Sequence, residues 1–327
     1  MKSLGKRAAG LRLERMRASP RYLKTDAGEG FRNVHPIQPG LRDGSERPSL
    51  GDFLCSEGRR TPPGPLPSVN PLDAWLKPAG SGLRATWLGH STVMVEIDGL
   101  RVLTDPVWGR RASPSQLAGP KRFQPVPLGL KALPPLDAVV ISHDHYDHLD
   151  HGSIRELVKL QNMPFITSLG VGAHLQAWGV PAERIIELDW WEHWQHPAAG
   201  LRIHATPSQH FSGRSLGDRN ATLWSSLVIE TPRHRVFFSG DTGLTGEYAG
   251  IRERFGPFDL VMLDPPFAAD LFDAALAAAM PLVGEGGLIY VEAPREIPAP
   301  AGFFVLRQGR AGAVHYQLLR REDNPAS

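Results

Sequence analysis

The chain has 327 residues, enough for one large domain or two smaller ones with a sizeable core. Its formal net charge of +2 creates no global field that would demand a nucleic-acid partner, so none is expected. The single cysteine, Cys55, excludes an internal disulfide and fits a reducing compartment. No run approaches the ~18 apolar residues of a membrane span, and no apolar segment follows the basic N-terminus. These features predict a soluble cytoplasmic protein with at most peripheral membrane contact.

Residues 1–82 are predicted to be a basic N-terminal extension rich in proline and glycine. The first 24 residues carry eight basic side chains against one acid, Glu14. Such an arm could contact anionic lipid headgroups or nucleic acid, but we favour a solvated, partly disordered terminus. Residues 25–82 lack hydrophobic periodicity, which predicts an irregular segment draped over the following domain.

A β pattern begins at residue 84. Residues 85–88 and 93–97 predict strands, and Asp98-Gly99 predicts a hairpin turn into a strand over residues 100–103. Asp105 ends that strand beside a proline, where an aspartate often caps a turn. His90 lies on the loop after the first strand and could either line a site or serve a structural role.

A fourth strand, over residues 136–141, precedes the most informative part of the chain. This run is short, apolar and β-branched, as in a buried strand. Further on, Ser153 and Glu156 have the spacing of a capping box, which predicts a helix extending to about residue 161. The residues between strand and helix therefore occupy a turn at one edge of a sheet.

That turn is dense in potential metal ligands. His143 and His145 are two residues apart, so in extended backbone they point to the same side and can share one cation. Asp147 and His148 follow around the bend and can hold a second cation nearby. Imidazole suits zinc, and the carboxylate also admits manganese or iron. The spacing predicts a metal site.

Two later segments deliver polar residues to loops. Residues 201–206 form an alternating strand that leads to Gln209-His210. Residues 221–230 and 235–239 form a second hairpin that ends in Gly240-Asp241, where glycine lets the backbone approach an ion closely.

Together, these segments resemble the metallo-β-lactamase superfamily, over roughly residues 15–260. Within it, they are similar to the branch that contains N-acylphosphatidylethanolamine-hydrolysing phospholipase D. The resemblance rests on Trp87-Leu88-Gly89-His90-Ser91-Thr92, Thr104-Asp105-Pro106, Gly119-Pro120-Lys121-Arg122-Phe123, His143-Asp144-His145-Tyr146-Asp147-His148, Gln209-His210 and Gly240-Asp241. It implies an α/β fold, an αββα sandwich of two β-sheets flanked by helices, with the family-like domain over residues 83–258.

The resemblance also implies roles for individual residues. His210 would complete a three-histidine site with His143 and His145, and Asp241 would bridge to a second metal held by Asp147 and His148. Asp105 would support the ligands from outside the coordination sphere, with His90 beside it. The implied cofactors are two Zn²⁺ ions, with Mn²⁺ or Fe²⁺ as alternatives.

The implied chemistry is hydrolysis of a small-molecule or lipid substrate. Water bound to such a metal has its pKa lowered towards neutrality, so hydroxide is available to attack phosphorus or an acyl carbon. Asp147 and Asp241 are the candidate catalytic carboxylates. The substrate class is a phosphodiester or an ester, with a phospholipid among the candidates. This predicts a dinuclear zinc hydrolase of phosphodiesterase or phospholipase D type.

Residues 259–327 depart from that family and resemble the C-terminal part of small-subunit rRNA guanine-N2 methyltransferases. Asp264-Pro265-Pro266-Phe267 matches the turn that holds the amino group in those enzymes, with Asp264 and Phe267 as its key residues. An S-adenosylmethionine site needs a Gly-rich turn upstream in the same sheet, and none precedes Asp264 at a workable distance. We therefore interpret this segment as a methyltransferase-like fragment and an atypical C-terminal third.

The departure removes a ligand, because family members carry a last histidine for the second metal on a strand beyond this point. A strand over residues 258–263, a helix over about 270–280 and a strand over 288–292 would form a β-α-β unit that fills the vacated sheet. Glu292, near the end of its second strand, is a candidate replacement ligand, and His315 is a weaker one. The alternative is a surface glutamate.

Three functions remain open on the sequence. The first is a working metallohydrolase. The second is a metal-binding pseudoenzyme whose second site is incomplete. The third is an S-adenosylmethionine-dependent rRNA methyltransferase, which only residues 264–267 favour.

Overall fold

The described residues of this computed structural model are 2–25, 28–35, 64, 66–264, 272–311 and 314–323. Its strands are β1 (Tyr22–Thr25), β2 (Gly28–Phe31), β3 (Leu83–Gly89), β4 (Thr92–Ile97), β5 (Leu100–Thr104), β6 (Ala138–Ile141), β7 (Phe165–Ser168), β8 (Ile185–Leu188), β9 (His193–Gln195), β10 (Arg202–Thr206), β11 (Ser226–Glu230), β12 (Arg235–Asp241), β13 (Phe258–Asp264), β14 (Val283–Ala293), β15 (Phe303–Ala311) and β16 (Val314–Arg321). Its α-helices are α1 (Leu11–Ala18), α2 (Leu72–Trp75), α3 (His151–Leu160), α4 (Gly172–Ala177), α5 (Glu247–Phe255) and α6 (Phe272–Ala279). Short 3₁₀ turns lie at Lys2–Leu4, Leu130–Ala132, Ala182–Arg184 and Met280–Leu282.

These strands form two large sheets and one small hairpin. The first large sheet has six strands in the order β3-β4-β5-β6-β7-β8, and the second has eight in the order β15-β16-β14-β13-β12-β11-β10-β9. Strands β5 to β8 are parallel, so their carboxyl ends meet at one edge of the first sheet. In the second sheet, β12 is parallel to β13. Two carboxyl-terminal sheet edges thus supply the loops that carry polar residues.

Period-2 alternation of apolar residues explains why the sheets stack. In β6, Ala138 and Val140 point into the layer between the sheets, whereas Val139 and Ile141 point to the opposite face and pack with α3. In β12, Phe238 faces the layer between the sheets, and Phe237 packs with α5 and α6. The result is helices, sheet, sheet, helices, which is the predicted αββα sandwich.

The C-terminal segment continues the second sheet. β14 pairs in parallel with β13, with Val261 opposite Ile289, and α6 lies between the two strands in sequence. The predicted β-α-β unit is therefore confirmed. β14 also pairs antiparallel with β16, so its other edge is covered by the β15–β16 hairpin. Tyr316 in β16 lies opposite Glu292 in this register.

The prediction of a disordered N-terminal arm was wrong. Residues 2–18 contain a 3₁₀ turn and α1, and Trp178 Nε1 donates a 2.8 Å hydrogen bond to the Lys2 carbonyl. Basic side chains of the arm pair with acids from distant parts of the chain, such as Arg15 with Glu192 at 2.6 Å. The charge count of the segment alone could not reveal these partners, because they lie more than 150 residues away in sequence.

The stretch predicted to be irregular is only partly described. Residues 36–63, including Cys55, lie outside the described residues, and β2 and α2 are ordered pieces within its remainder. Among the residues that are described, no helix has the length and apolar character needed to cross a membrane.

Candidate metal centre

The turn after β6 is anchored at its far end by a helix cap. Asp150 is the N-cap of α3, and its carboxylate accepts a 2.8 Å hydrogen bond from the Ser153 backbone N–H. The sequence had placed the cap at Ser153 itself, which was wrong, because Ser153 lies inside the first turn of the helix. The turn that carries the potential ligands thus lies between a buried strand and a capped helix, which restricts its backbone conformation.

Four of the predicted ligands form what we call the first ligand group: His143, His145, His210 and Asp241. Their ligand atoms all lie within 4.8 Å of one another. His145 Nδ1 is 2.9 Å from His143 Nε2 and 3.2 Å from His210 Nε2, and His210 Nε2 is 3.6 Å from Asp241 Oδ2. Ligand atoms at tetrahedral zinc distances are about 3.3 Å apart, so this spacing suits a single ion.

A second ligand group contains His90, Asp147 and His148, again with ligand atoms within 4.8 Å of one another. His90 Nε2 lies 3.2 Å from Asp147 Oδ2, and His148 Nε2 lies 4.0 Å from the same oxygen. Asp241 links the two groups, since its Oδ1 is 3.1 Å from His148 Nε2. The sequence had placed His90 beside the site, and the structure brings its Nε2 within reach of Asp147 and His148.

Asp105 lies behind the second ligand group and is fully buried. Its Oδ2 is 2.8 Å from His148 Nδ1 and accepts a 2.7 Å hydrogen bond from Ser142 Oγ, while Oδ1 accepts from the Ser142 backbone N–H. A proton on His148 Nδ1 is thereby favoured, which leaves Nε2 to face the site. The part played by Ser142 was missed, because a serine before the histidines carries no ligand signal.

The charges of the site favour a cation. Burial, with His148 nearby, holds the pKa of His143 well below its usual value, and burial lowers the pKa of His210 to about 4. Burial opposes the charging of His148, but Asp241 and the other carboxylates raise its pKa well above the usual value. The pKa of Asp241 falls to about 2, because His148 and His210 outweigh its burial. His143 and His210 are thus neutral, Asp241 is ionised, and His148 carries a proton that a metal ion could replace.

Asp144, between the two first-group histidines, does a different job. Its side chain is buried, and its oxygens accept hydrogen bonds of 2.8 Å from Gly213 N and 3.0 Å from Thr222 Oγ1. The pKa of Asp144 is lowered to about 2, because His174 and Gly213 outweigh the effect of burial. Asp144 therefore holds the loop that follows His210. Alternation along the turn could have indicated that it points away from the two ligand histidines.

The C-terminal candidates belong to neither ligand group, although Glu292 lines the same cavity as His90 and Asp147. Glu292 Oε1 accepts a 2.6 Å hydrogen bond from Tyr290 Oη, and burial raises the pKa of Glu292. His315 lies 3.9 Å from a Glu296 oxygen and is also in neither group. The side chain of Asp264 and the whole of Phe267 fall outside the described residues.

A cavity of about 690 Å³ opens beside the second ligand group. Apolar residues from several regions of the chain line much of it, and its wall also includes His90, Asp147 and Glu292. Lys121 and Arg122 supply positive charge to its wall. Arg122 packs against Gly89, where a Cβ atom would lie 2.5 Å from Nη1, so only glycine admits the guanidinium there. The cavity combines an apolar surface with two positively charged side chains in its wall.

Comparisons with known proteins bear on this fold and site. A putative methyltransferase of Escherichia coli is 30% identical over 21% of this chain and 41% of its own, with a TM-score of 0.19. The N-acyl-phosphatidylethanolamine-hydrolyzing phospholipase D 1 of Caenorhabditis elegans is 41% identical over 190 residues, which are 56% of this chain and 53% of that protein. An uncharacterized protein of Mycobacterium tuberculosis is 45% identical over 273 residues, which are 78% of this chain and 72% of the relative.

The family model for the beta-lactamase superfamily domain matches residues 100–278, more than half of the chain. These residues include strands of both sheets and every member of the first ligand group. The chain belongs to the metallo-β-lactamase superfamily, and its four-layer sandwich is the metallo-β-lactamase fold.

Proposed function

We propose that the protein is a metal-dependent hydrolase that cleaves a phosphodiester or an ester, with a phospholipid as the leading candidate substrate. The observation that carries the proposal is a shared carboxylate, because Asp241 directs Oδ2 to His210 and Oδ1 to His148. One side chain thus belongs to two neighbouring sets of ligands. This arrangement suits two cations acting on a single reacting group.

The donor atoms fit such cations. Imidazole nitrogens and carboxylate oxygens suit Zn²⁺, Mn²⁺ or Fe²⁺, and no thiolate within the described residues contributes to either ligand group. His148 Nε2 is buried and lies 3.1 Å from Asp241 Oδ1. Although burial opposes a charge on this ring, the neighbouring carboxylates raise the pKa of His148, and a divalent cation could replace the proton that they favour on this nitrogen.

The residues around the ions would divide the remaining work. Bound divalent cations would supply Lewis acidity and acidify a water molecule enough for it to act as a nucleophile near pH 7. Asp147, whose side chain is 42% exposed, faces the cavity and would hold the proton that this water loses. Phe211 packs its ring 4.7 Å from that of His145 and would limit access of bulk water.

The cavity supports an amphiphilic substrate. Trp87, Leu88, Val107 and Phe123 offer apolar surface for a hydrocarbon portion, and Arg122 offers a guanidinium for a phosphate. The C. elegans relative is a phospholipase D by name, and about half of its length is matched here. A phospholipid could place its phosphate next to the metal ions and Arg122, and its acyl chain along the apolar wall of the cavity.

Arg122→Ala should weaken productive binding of a phosphodiester. The change removes one charge-assisted contact worth about 1.5–3 kcal/mol, so kcat/KM for a phosphodiester should fall about 10- to 100-fold, chiefly through KM. Arg122→Lys should recover part of the loss, and exposed Arg155→Ala should have no effect. Steady-state kinetics on a phosphodiester and on an uncharged ester would test this. Equal losses on both substrates would count against a phosphate contact.

The proposed function is tested by reconstitution. Protein stripped with a chelator would be reloaded with Zn²⁺, Mn²⁺ or Fe²⁺ and assayed on bis(p-nitrophenyl) phosphate and on N-acylphosphatidylethanolamine vesicles. Hydrolysis that returns with the metal and is absent from His145→Ala supports the proposal. Two bound ions without turnover would indicate a pseudoenzyme, and no bound metal would overturn the proposal. Exposed His193→Ala is the control for loss of a histidine outside the site.

A further inference from the structure

His90 is held in an unusual backbone conformation. It occupies the turn between β3 and β4 with a φ of 50°, in the left-handed region that residues other than glycine seldom adopt. The indole Nε1 of Trp87 donates a 2.7 Å hydrogen bond to the His90 carbonyl and braces the turn. Strain of this kind persists where the surrounding structure enforces it, often at a functional site. The conformation directs the imidazole towards Asp147.

The imidazole of His90 has the spacing of a metal ligand. Its Nε2 is 3.2 Å from Asp147 Oδ2, and its ring centre is 5.0 Å from that of His148, nearly edge-to-face. The ligand atoms of these three residues lie within 4.8 Å of one another, so one ion can reach all of them. The β3–β4 turn thus contributes to a position that the sequence had assigned to Asp147, His148 and Asp241, with Glu292 as a candidate further ligand.

A buried nitrogen is aimed at the same position. His148 is fully buried, its Nδ1 lies 2.8 Å from Asp105, and its Nε2 lies 3.1 Å from Asp241 Oδ1 and 4.0 Å from Asp147 Oδ2. This nitrogen is therefore oriented towards the space that His90 and Asp147 also face. A buried imidazole fixed by an outer carboxylate is the usual preparation of a metal ligand.

Glu292, the candidate donor on the C-terminal strand, is already hydrogen-bonded and falls outside both ligand groups. It lies on β14 and shares a cavity wall with His90, but its carboxylate is engaged by Tyr290 Oη. We propose that His90 takes the place of the ligand that the C-terminal segment lacks and completes a second cation site with Asp147, His148 and the shared Asp241. This inference rests on the proposed metal-dependent function. It assigns the completing ligand to the β3–β4 turn.

His90→Asn tests the assignment with little risk to the turn, because asparagine tolerates the left-handed conformation. Metal content by elemental analysis and affinity by chelator competition should show two zinc ions in the wild type. In His90→Asn, the second ion should bind at least about 100-fold more weakly, the upper end of what even an outer partner costs. Glu292→Gln should keep both ions, and so should His193→Ala. Unchanged affinity for the second ion in His90→Asn would overturn the inference, as would its loss in Glu292→Gln alone.

A second test uses the wild-type protein, so its result does not depend on whether a variant folds. The His90 side chain is 40% exposed, so diethyl pyrocarbonate should modify it in metal-free protein, with exposed His193 as an internal reference. Peptide mass spectrometry should show protection of His90 when the second equivalent of zinc binds. Equal modification of His90 with one and two ions bound overturns the inference and leaves the hydrolase proposal intact. A protein that binds no zinc overturns both.

Discussion

Asp241→Asn should abolish cooperation between the two ligand groups and cause the largest loss of activity. The substitution keeps the shape of the side chain but removes the negative charge whose two oxygens face His210 and His148. We expect metal content to fall from two ions to at most one. We also expect kcat/KM to fall by at least ~10³-fold, or about 4 kcal/mol of transition-state stabilisation.

Elemental analysis and steady-state kinetics on the same preparations would check both expectations. Asp189→Asn makes the same chemical change outside the ligand groups and should leave both quantities unaltered. Two tightly bound ions together with wild-type kcat/KM in Asp241→Asn would show that the shared carboxylate is dispensable.

Asp144→Asn should produce the largest loss of stability. The carboxylate is buried and ties the turn after β6 to Gly213 and Thr222, with His174 Nε2 at 3.5 Å. Breaking a buried charged network costs about 3 kcal/mol or more, so the free energy of unfolding should fall by that amount at pH 7. Urea unfolding in the presence of a chelator measures this without a contribution from bound metal. Asp273→Asn, at a side chain that is 72% exposed, should change stability by less than about 0.5 kcal/mol.

The stability difference between wild type and Asp144→Asn should depend on pH. The pKa of Asp144 is about 2 in the folded protein against 3.8 as the reference value, so the folded state favours the ionised form. This difference contributes about 2 kcal/mol of stability, fully present above pH ~4 and lost as the pH falls through 2. The gap in stability between wild type and Asp144→Asn should therefore narrow in acid. A gap that stays constant down to pH 2 would contradict the ionisation argument.

Local spacing predicted which side chains of the turn after β6 come together. His143 and His145 share a face because they are two residues apart in extended backbone, and Asp147 and His148 follow them around one short turn. Such information lies within a few residues and needs no knowledge of the fold. Bringing His210 and Asp241 to the same place requires two sheets to stack, and the sequence reached them only through resemblance to a family.

The position of His90 could not be read in this way. Its side chain reaches the centre because a left-handed turn aims it across about 57 residues of chain towards Asp147. Glu292 lies on the strand where the sequence predicted a replacement ligand, but its carboxylate accepts a hydrogen bond from Tyr290 of the same strand. The helix cap at Asp150 was misplaced for a similar reason: several polar residues compete for one end of a helix, and tertiary contacts decide between them.

The first ligand group takes His143 and His145 from beyond β6 of one sheet and Asp241 from the end of β12 of the other. An ion bound there would cross-link the two sheets, which are otherwise held together by apolar side chains. Separating the sheets would require the ion to leave, so chelation should speed unfolding and let the two layers exchange their amide hydrogens independently. At a free zinc concentration 100 times its Kd, the bound ion would add about 2.7 kcal/mol to the free energy of unfolding. The centre that performs chemistry would then also set the lifetime of the folded protein.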